Sequence, residues 1–216
     1  MHERIRRAIG TGWTTEEWAH VAMGHPIARL LMQRKRSEAD ALLRQYTAVH
    51  EAGHGLMAKL IGVDVEQIVI GHLHEVQGAT TLGFTEYRVD RRRPLDAAAW
   101  VLLDLAGIAG HETVWPHGWG LDQAAWTPPG ETGALRGEAV AGGDLWEARE
   151  RIKHEVIAGR RVLGKTTTAD ALVAAYEQTE ALLMGCRGRL LRLSGHLMQY
   201  GSADRTVIAS IFDLGE

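Results

Sequence analysis

The chain has 216 residues, 45% of them hydrophobic and 24% charged, with a formal net charge of -3 at pH 7. That length and composition fit a single cored domain over 1–216, and the near-neutral balance gives no reason to expect nucleic acid or a membrane surface as partner. One cysteine, Cys186, excludes an intramolecular disulfide and a cysteine-based zinc cluster. Together with a basic start that lacks a signal-peptide core, and an Asp104 that interrupts the longest apolar run, this leads us to expect a soluble, cytoplasmic protein.

Residues 1–40 read as a helical lead-in, with apolar spacing over 16–33 broken at Pro26 and a polar "RKRSEAD" connection after it. From Ala41 to about Leu60 apolar positions recur at three and four, which predicts one long amphipathic helix stopped near Gly62. The stretch "VDVEQIVIGHLHEVQGATTLGFTEYRV" alternates and is rich in Val, Ile and Thr, which predicts two or three short strands. Residues 94–115 return to a helical pattern, with Pro94 suited to a first turn. The Gly- and Pro-rich run 116–143 reads as a long loop. Three more helices follow, over 144–159, 167–185 and 187–201. The expected class is α+β, mainly helical, around a small sheet of two to three strands.

The helix over 41–60 contains "HEAGH", with His50 and His54 four residues apart and Glu51 after the first. Residues at that spacing lie one above the other on a helix, roughly 5–6 Å apart at Cβ, so their imidazoles can share one ion. The pattern alone is weak: from this chain's own His and Glu frequencies a chance match arises roughly once in twenty-five. Helical phase adds weight. Leu43, Tyr46, His50, His54, Met57 and Ile61 share one stripe, so both histidines continue an apolar line and point inward. Buried imidazoles without partners cost on the order of 1–3 kcal/mol each, and a shared metal would supply the partner. Gly53, inside the helix, signals close approach by another segment. With zinc as the ion, His50 and His54 are ligands and Glu51 is the base that takes a proton from the attacking water.

A third ligand is needed. The extended HExxHxxGxxH form is excluded, because Met57 and Leu60 occupy the decisive positions. Glu112 and Asp144 are the acidic candidates, and spacing does not choose between them. Asp144 also has a bland reading as a helix N-cap paired with Glu147, and Glu112 as a solvated position or a partner of a ligand histidine.

The stretches "VHEAGHGLMA", "GATTLGFT", "LLDLAGIAGHETV", "GGDLWEA" and "YEQTEALLMGCRGRLLRLSGHLMQ" together resemble the peptidase domain of FtsH-type AAA proteases, in family order over about residues 45–200. The resemblance implies a helical zincin-like peptidase fold over 41–216, bound Zn2+, and Asp144 as the third ligand. The family's ATPase module and transmembrane helices have no counterpart in this sequence. The resemblance therefore implies a stand-alone relative that cleaves flexible or unfolded polypeptide without ATP of its own, and it leaves room for homo-oligomers and for a separate ATPase partner. A contrasting reading keeps the fold and the zinc but not turnover: a catalytically silent binding or adaptor module.

A second motif competes. "GRRVLGKT", residues 159–166, satisfies the phosphate-binding pattern G-x-x-x-x-G-K-[ST] letter for letter, which chance produces roughly once in two hundred. It follows a charged helical run rather than a buried strand, and about fifty residues remain after it, too few for a doubly wound sheet. Gly164 to Thr168 therefore reads as a turn with a Thr cap, even though the terminal "VIASIFD" imitates the strand-Asp partner of such a site. His72 and His74 share a strand face at an exposed edge, "RVDRRRP" reads as a solvated turn, and Cys186 as a small buried residue.

Overall fold

The computed structural model describes residues 33–76, 79–90, 92, 94–115 and 140–213. Helix α1 (Arg36–Leu60) starts five residues before the expected Ala41, with Glu38 in its first turn and Lys59 in its last, both matched to the helix dipole. It stops as expected. Gly62 takes φ +80°, its N–H donates to the Lys59 carbonyl, and the Val63 N–H reaches back to Ala58 at 2.8 Å. The remainder of the expected lead-in, 1–32, lies outside the described residues.

The helical stripe read from the sequence is inward, but it understates the burial of α1. Every residue from 46 to 58 is buried, so this helix runs through the middle of the domain instead of lying on its surface. Strands β1 (Asp64–Val76) and β2 (Ala79–Arg88) cover one side of it. A third strand, β3 (Ser202–Asp204), completes an antiparallel sheet of order β2-β1-β3. Three residues are too few to produce a readable alternation, which is why β3 has no signal of its own in the sequence. Gly71, at φ +98°, sits where the β1 and β2 register shifts between Ile70 and His74. β2 is an edge of the sheet among the described residues, and the side chains of His72 and His74 lie outside them.

The expected single helix over 94–115 is two. Helix α2 (Ala97–Asp104) begins after Pro94, capped by the Asp96 carboxylate, which accepts from the Ala99 N–H at 2.7 Å. A break at Leu105 separates it from α3 (Ala106–Val114). Helix α4 (Val140–Ile157) takes in the last four residues of the expected loop, so Asp144 lies inside the helix and is not its N-cap; residues 116–139 lie outside the described residues. Helices α5 (Thr168–Met184) and α6 (Arg187–Tyr200) fall close to expectation, and "VIASIFD" belongs to a helix, α7 (Arg205–Asp213), buried at Ile208 and Ile211. Seven helices with a small antiparallel sheet among the described residues make the class α+β, mainly helical.

The phosphate-loop look-alike is a tight turn. Val162 and Lys165 exchange both backbone hydrogen bonds, and Leu163 and Gly164 between them have φ of 49° and 75°. The Val162 and Lys165 amides are thereby tied up within the turn. Thr167 then caps α5, accepting from the Asp170 N–H. Cys186 is buried as expected.

Packing of α1 on α3 explains the mid-helix glycine. A Cβ on Gly53 would overlap the Ala106 carbonyl oxygen, and one on Gly110 would lie 3.4 Å from the Gly53 Cα. In an open helix Gly53→Ala would gain up to about 1 kcal/mol; here it should instead lower the unfolding free energy by about 1–3 kcal/mol through overpacking, read from urea denaturation.

Candidate metal centre

His50 and His54 project from the buried middle of α1, and α4 brings Asp144 to them from 90 residues further along the chain. The His50 Nε2 lies 2.9 Å from the Asp144 Oδ2, the His54 Nε2 lies 3.2 Å from the same oxygen, and the two nitrogens are 3.1 Å apart. These three side chains form a group that could hold a metal ion. Glu112, the other acidic candidate, lies outside that group. It is buried on α3, where its charge adds to burial in pushing the Tyr176 phenol well above its usual range.

The donor set fits zinc. Zn–N and Zn–O bonds of about 2.0–2.1 Å in a tetrahedron place ligand atoms roughly 3.3 Å apart, within a few tenths of an ångström of all three separations. His54 Nδ1–H donates to the Leu103 carbonyl at 2.9 Å, so the neutral ring presents the Nε2 lone pair to Asp144 and His50. Two imidazole nitrogens and a carboxylate oxygen in one small triangle are poorly satisfied by protons alone. A cation among them would satisfy all three.

The protonation balance of the ion-free site follows from that crowding. Burial disfavours a charged His54, but the charge and hydrogen bond of Asp144, with Glu51 adding, raise its pKa to about 9. Burial pushes the Asp144 carboxyl up, and the two histidines overcome this and hold it well below the usual carboxylate range.

The ring of His50 is positioned by α3. A Cβ on Gly107 would overlap that ring, so glycine is what lets the imidazole lie flat against the helix backbone. His111, one turn on, donates through Nε2 to the Tyr46 carbonyl, and its ring centroid lies 5.4 Å from that of His50. Glu51, 4% exposed, accepts at Oε2 from the Thr85 hydroxyl at 2.8 Å. Gly83, two residues before Thr85, allows the strand in: a Cβ there would stand 2.9 Å from the Glu51 Cγ. On the same strand, burial and the charges of Glu51, Asp144 and Asp104 hold the Tyr87 phenol neutral.

His50 and His54 from α1 and Asp144 from α4 thus come together in one group that could hold a metal ion, and Glu51 follows His50 on the same buried stretch of α1. The sequence reading missed Thr85, Gly107 and the Leu103 carbonyl. Only Gly107, a glycine within the helical pattern "LAGIAG", carried a signal that could have been followed. No protein-family model matches this chain, and no curated protein matches it. Among the described residues no helix is long and apolar enough to cross a membrane.

Two outcomes are expected. The His54 shift, from 6.5 to about 9, gives a stabilisation of the ion-free protein that is full below pH 6.5 and lost as pH rises through about 9. Zinc must displace that proton, so affinity should climb with pH up to about 9 and the zinc-induced rise in Tm should be larger at pH 8 than at pH 6, by calorimetry with and without zinc. Gly107→Ala should displace the His50 ring and weaken zinc binding by roughly tenfold or more, by chelator competition.

Proposed function

We propose that this chain is a zinc-dependent endopeptidase acting on flexible or unfolded polypeptide, similar to the peptidase domain of FtsH-type AAA proteases. The meeting of Asp144 with His50 and His54 carries the reading. It makes a chance HExxH match a poor account of the motif, since an accidental pair has no reason to attract a distant carboxylate to both of its rings.

Zinc held by His50, His54 and Asp144 would lower the pKa of a water ligand to about 7 and polarise the scissile carbonyl. With that ion bound, Glu51 would accept a proton from a water at the site as the water oxygen joins the carbonyl carbon, and would return it to the amine nitrogen as the C–N bond breaks. Thr85, bonded to one oxygen of Glu51, fixes the carboxylate plane and leaves proton transfer to the other. Substrate lies extended along β2. That strand is an edge among the described residues, and its Gly83 and Thr85 touch α1 beside Glu51, so a peptide added there runs past the metal with main-chain hydrogen bonds and loose sequence preference. Folded substrates would have to be unfolded before they reach the site.

Glu51→Gln should keep zinc and lower cleavage of a denatured protein by about 10²–10⁴-fold, with chelation abolishing and zinc restoring the wild-type rate. An unchanged rate in the variant would overturn the mechanism. Zinc binding without cleavage of any unfolded chain by the wild type would favour the silent binding module instead.

A further inference from the structure

The last two residues of α2 reach the two helices that carry the candidate ligands, α1 and α4. The Leu103 carbonyl holds the Nδ1–H of His54 at 2.9 Å. The next side chain, Asp104, accepts from the Nε of Arg151 at 2.7 Å. Arg151 belongs to α4, seven residues and about two turns after Asp144, so both project from nearly the same face of that helix. Between them Ala148 and, one place beyond, Ile152 are fully buried, which marks this face as the one that docks. The Arg151 guanidinium also lies over the Trp100 ring, 5.0 Å from its centroid, one turn before Asp104 on α2. One arginine is thus gripped by two side chains of a single helix, in a direction set by its planar fork.

From this geometry we infer that Arg151 and Asp104 form a clamp that sets the position of α4 and so delivers Asp144 to the histidine pair. Arg151 is a positioning residue: it touches neither the ion site nor substrate and acts through the third ligand. The inference rests on the metal-centre reading. Asp144 is the one ligand of the three that is not on α1, so nothing in the local geometry of α1 places it. Its distance from His50 and His54 depends on how α4 sits on α2, and α2 is itself tied to His54 through Leu103. The clamp and the His54 hydrogen bond leave α2 from adjacent residues, which leaves little slack between the two halves of the site. Asp104 is only 8% exposed, and burial lifts its carboxyl to about 6 even beside Arg151; without the arginine the charge would have no compensation there.

A brace that merely stabilised the helix packing would have different consequences. The test compares zinc affinity by chelator competition with unfolding midpoints in the wild type, Arg151→Met, Arg151→Lys, Asp104→Asn and the control Lys153→Met, which removes an exposed pair with Glu150 on the same helix. Arg151→Met is expected to lose roughly tenfold or more in zinc affinity while still folded. Its cobalt-substituted form should show a changed visible spectrum as the Asp144 oxygen leaves the coordination sphere. Arg151→Lys should recover part of the affinity, and Lys153→Met none of the loss. Should Arg151→Met fail to fold, Asp104→Asn breaks the same ion pair with a side chain of equal size, and the same loss is expected. Unchanged zinc affinity and cobalt spectrum, with only a lower unfolding midpoint, would overturn the inference and leave a structural brace. A wild type that binds no zinc at all would remove the metal-centre reading first, and this inference with it.

Discussion

The rest of this fold answers to one constraint: a helix whose middle, residues 46–58, is buried on every side and carries four polar side chains. Between residues 46 and 58 every residue of α1 is buried, yet Thr47, His50, Glu51 and His54 lie there. An unsatisfied buried polar group costs on the order of 1–3 kcal/mol, so leaving all four unpartnered would remove much of the stability of a domain this size. Each has a partner in a different direction, and only the buried Nδ1 of His50 is left without one. Thr47 bonds back to the Leu43 carbonyl within its own helix, Glu51 receives the Thr85 hydroxyl from β2, His54 reaches the Leu103 carbonyl on α2, and the two histidines meet Asp144 from α4. Placement of the surrounding elements is largely the placement of these partners.

Glycine makes such close surroundings possible. Gly53 and Gly110 let α1 and α3 touch backbone to backbone, Gly107 gives the His50 ring a flat wall, and Gly83 brings β2 down onto Glu51. A side chain at these positions would press on the His50 ring, on Glu51, or on the backbone contact between α1 and α3. The metal centre is thereby built with little room to adjust, which favours fixed ligand orientation over adaptability. The conformational cost of glycine within helices and strands is offset by contacts that no other residue allows.

Two motif matches of similar apparent quality have opposite outcomes, and the reason is context. "HEAGH" lies within one regular helix, where a four-residue spacing has a fixed spatial meaning whatever surrounds it. "GRRVLGKT" needs a loop between a strand and a helix for its amides to converge, and here it follows α4 and closes on itself through the bond pair between Val162 and Lys165. A motif defined inside one regular element carries its geometry with it. A motif defined by a loop borrows its geometry from the fold.

The amino-acid sequence by itself determined the elements whose information is local: α1 with its inward histidines and its glycine stop, the alternating β1 and β2, the cap at Thr167, and the mainly helical class. It also marked Gly53 as a point of close approach. It did not by itself choose Asp144 over Glu112, since each lies in a helical stretch and nothing within a few residues of either distinguishes a ligand from a cap or a buried carboxylate. Nor did it reveal that Thr85 holds Glu51, that Gly107 backs His50, or that α1 is enclosed on every side over residues 46–58. Those facts belong to tertiary structure, because helical and strand periodicity govern neighbours a few residues apart, whereas contacts across 34 or 90 residues depend on how β2, α3 and α4 pack around the central helix.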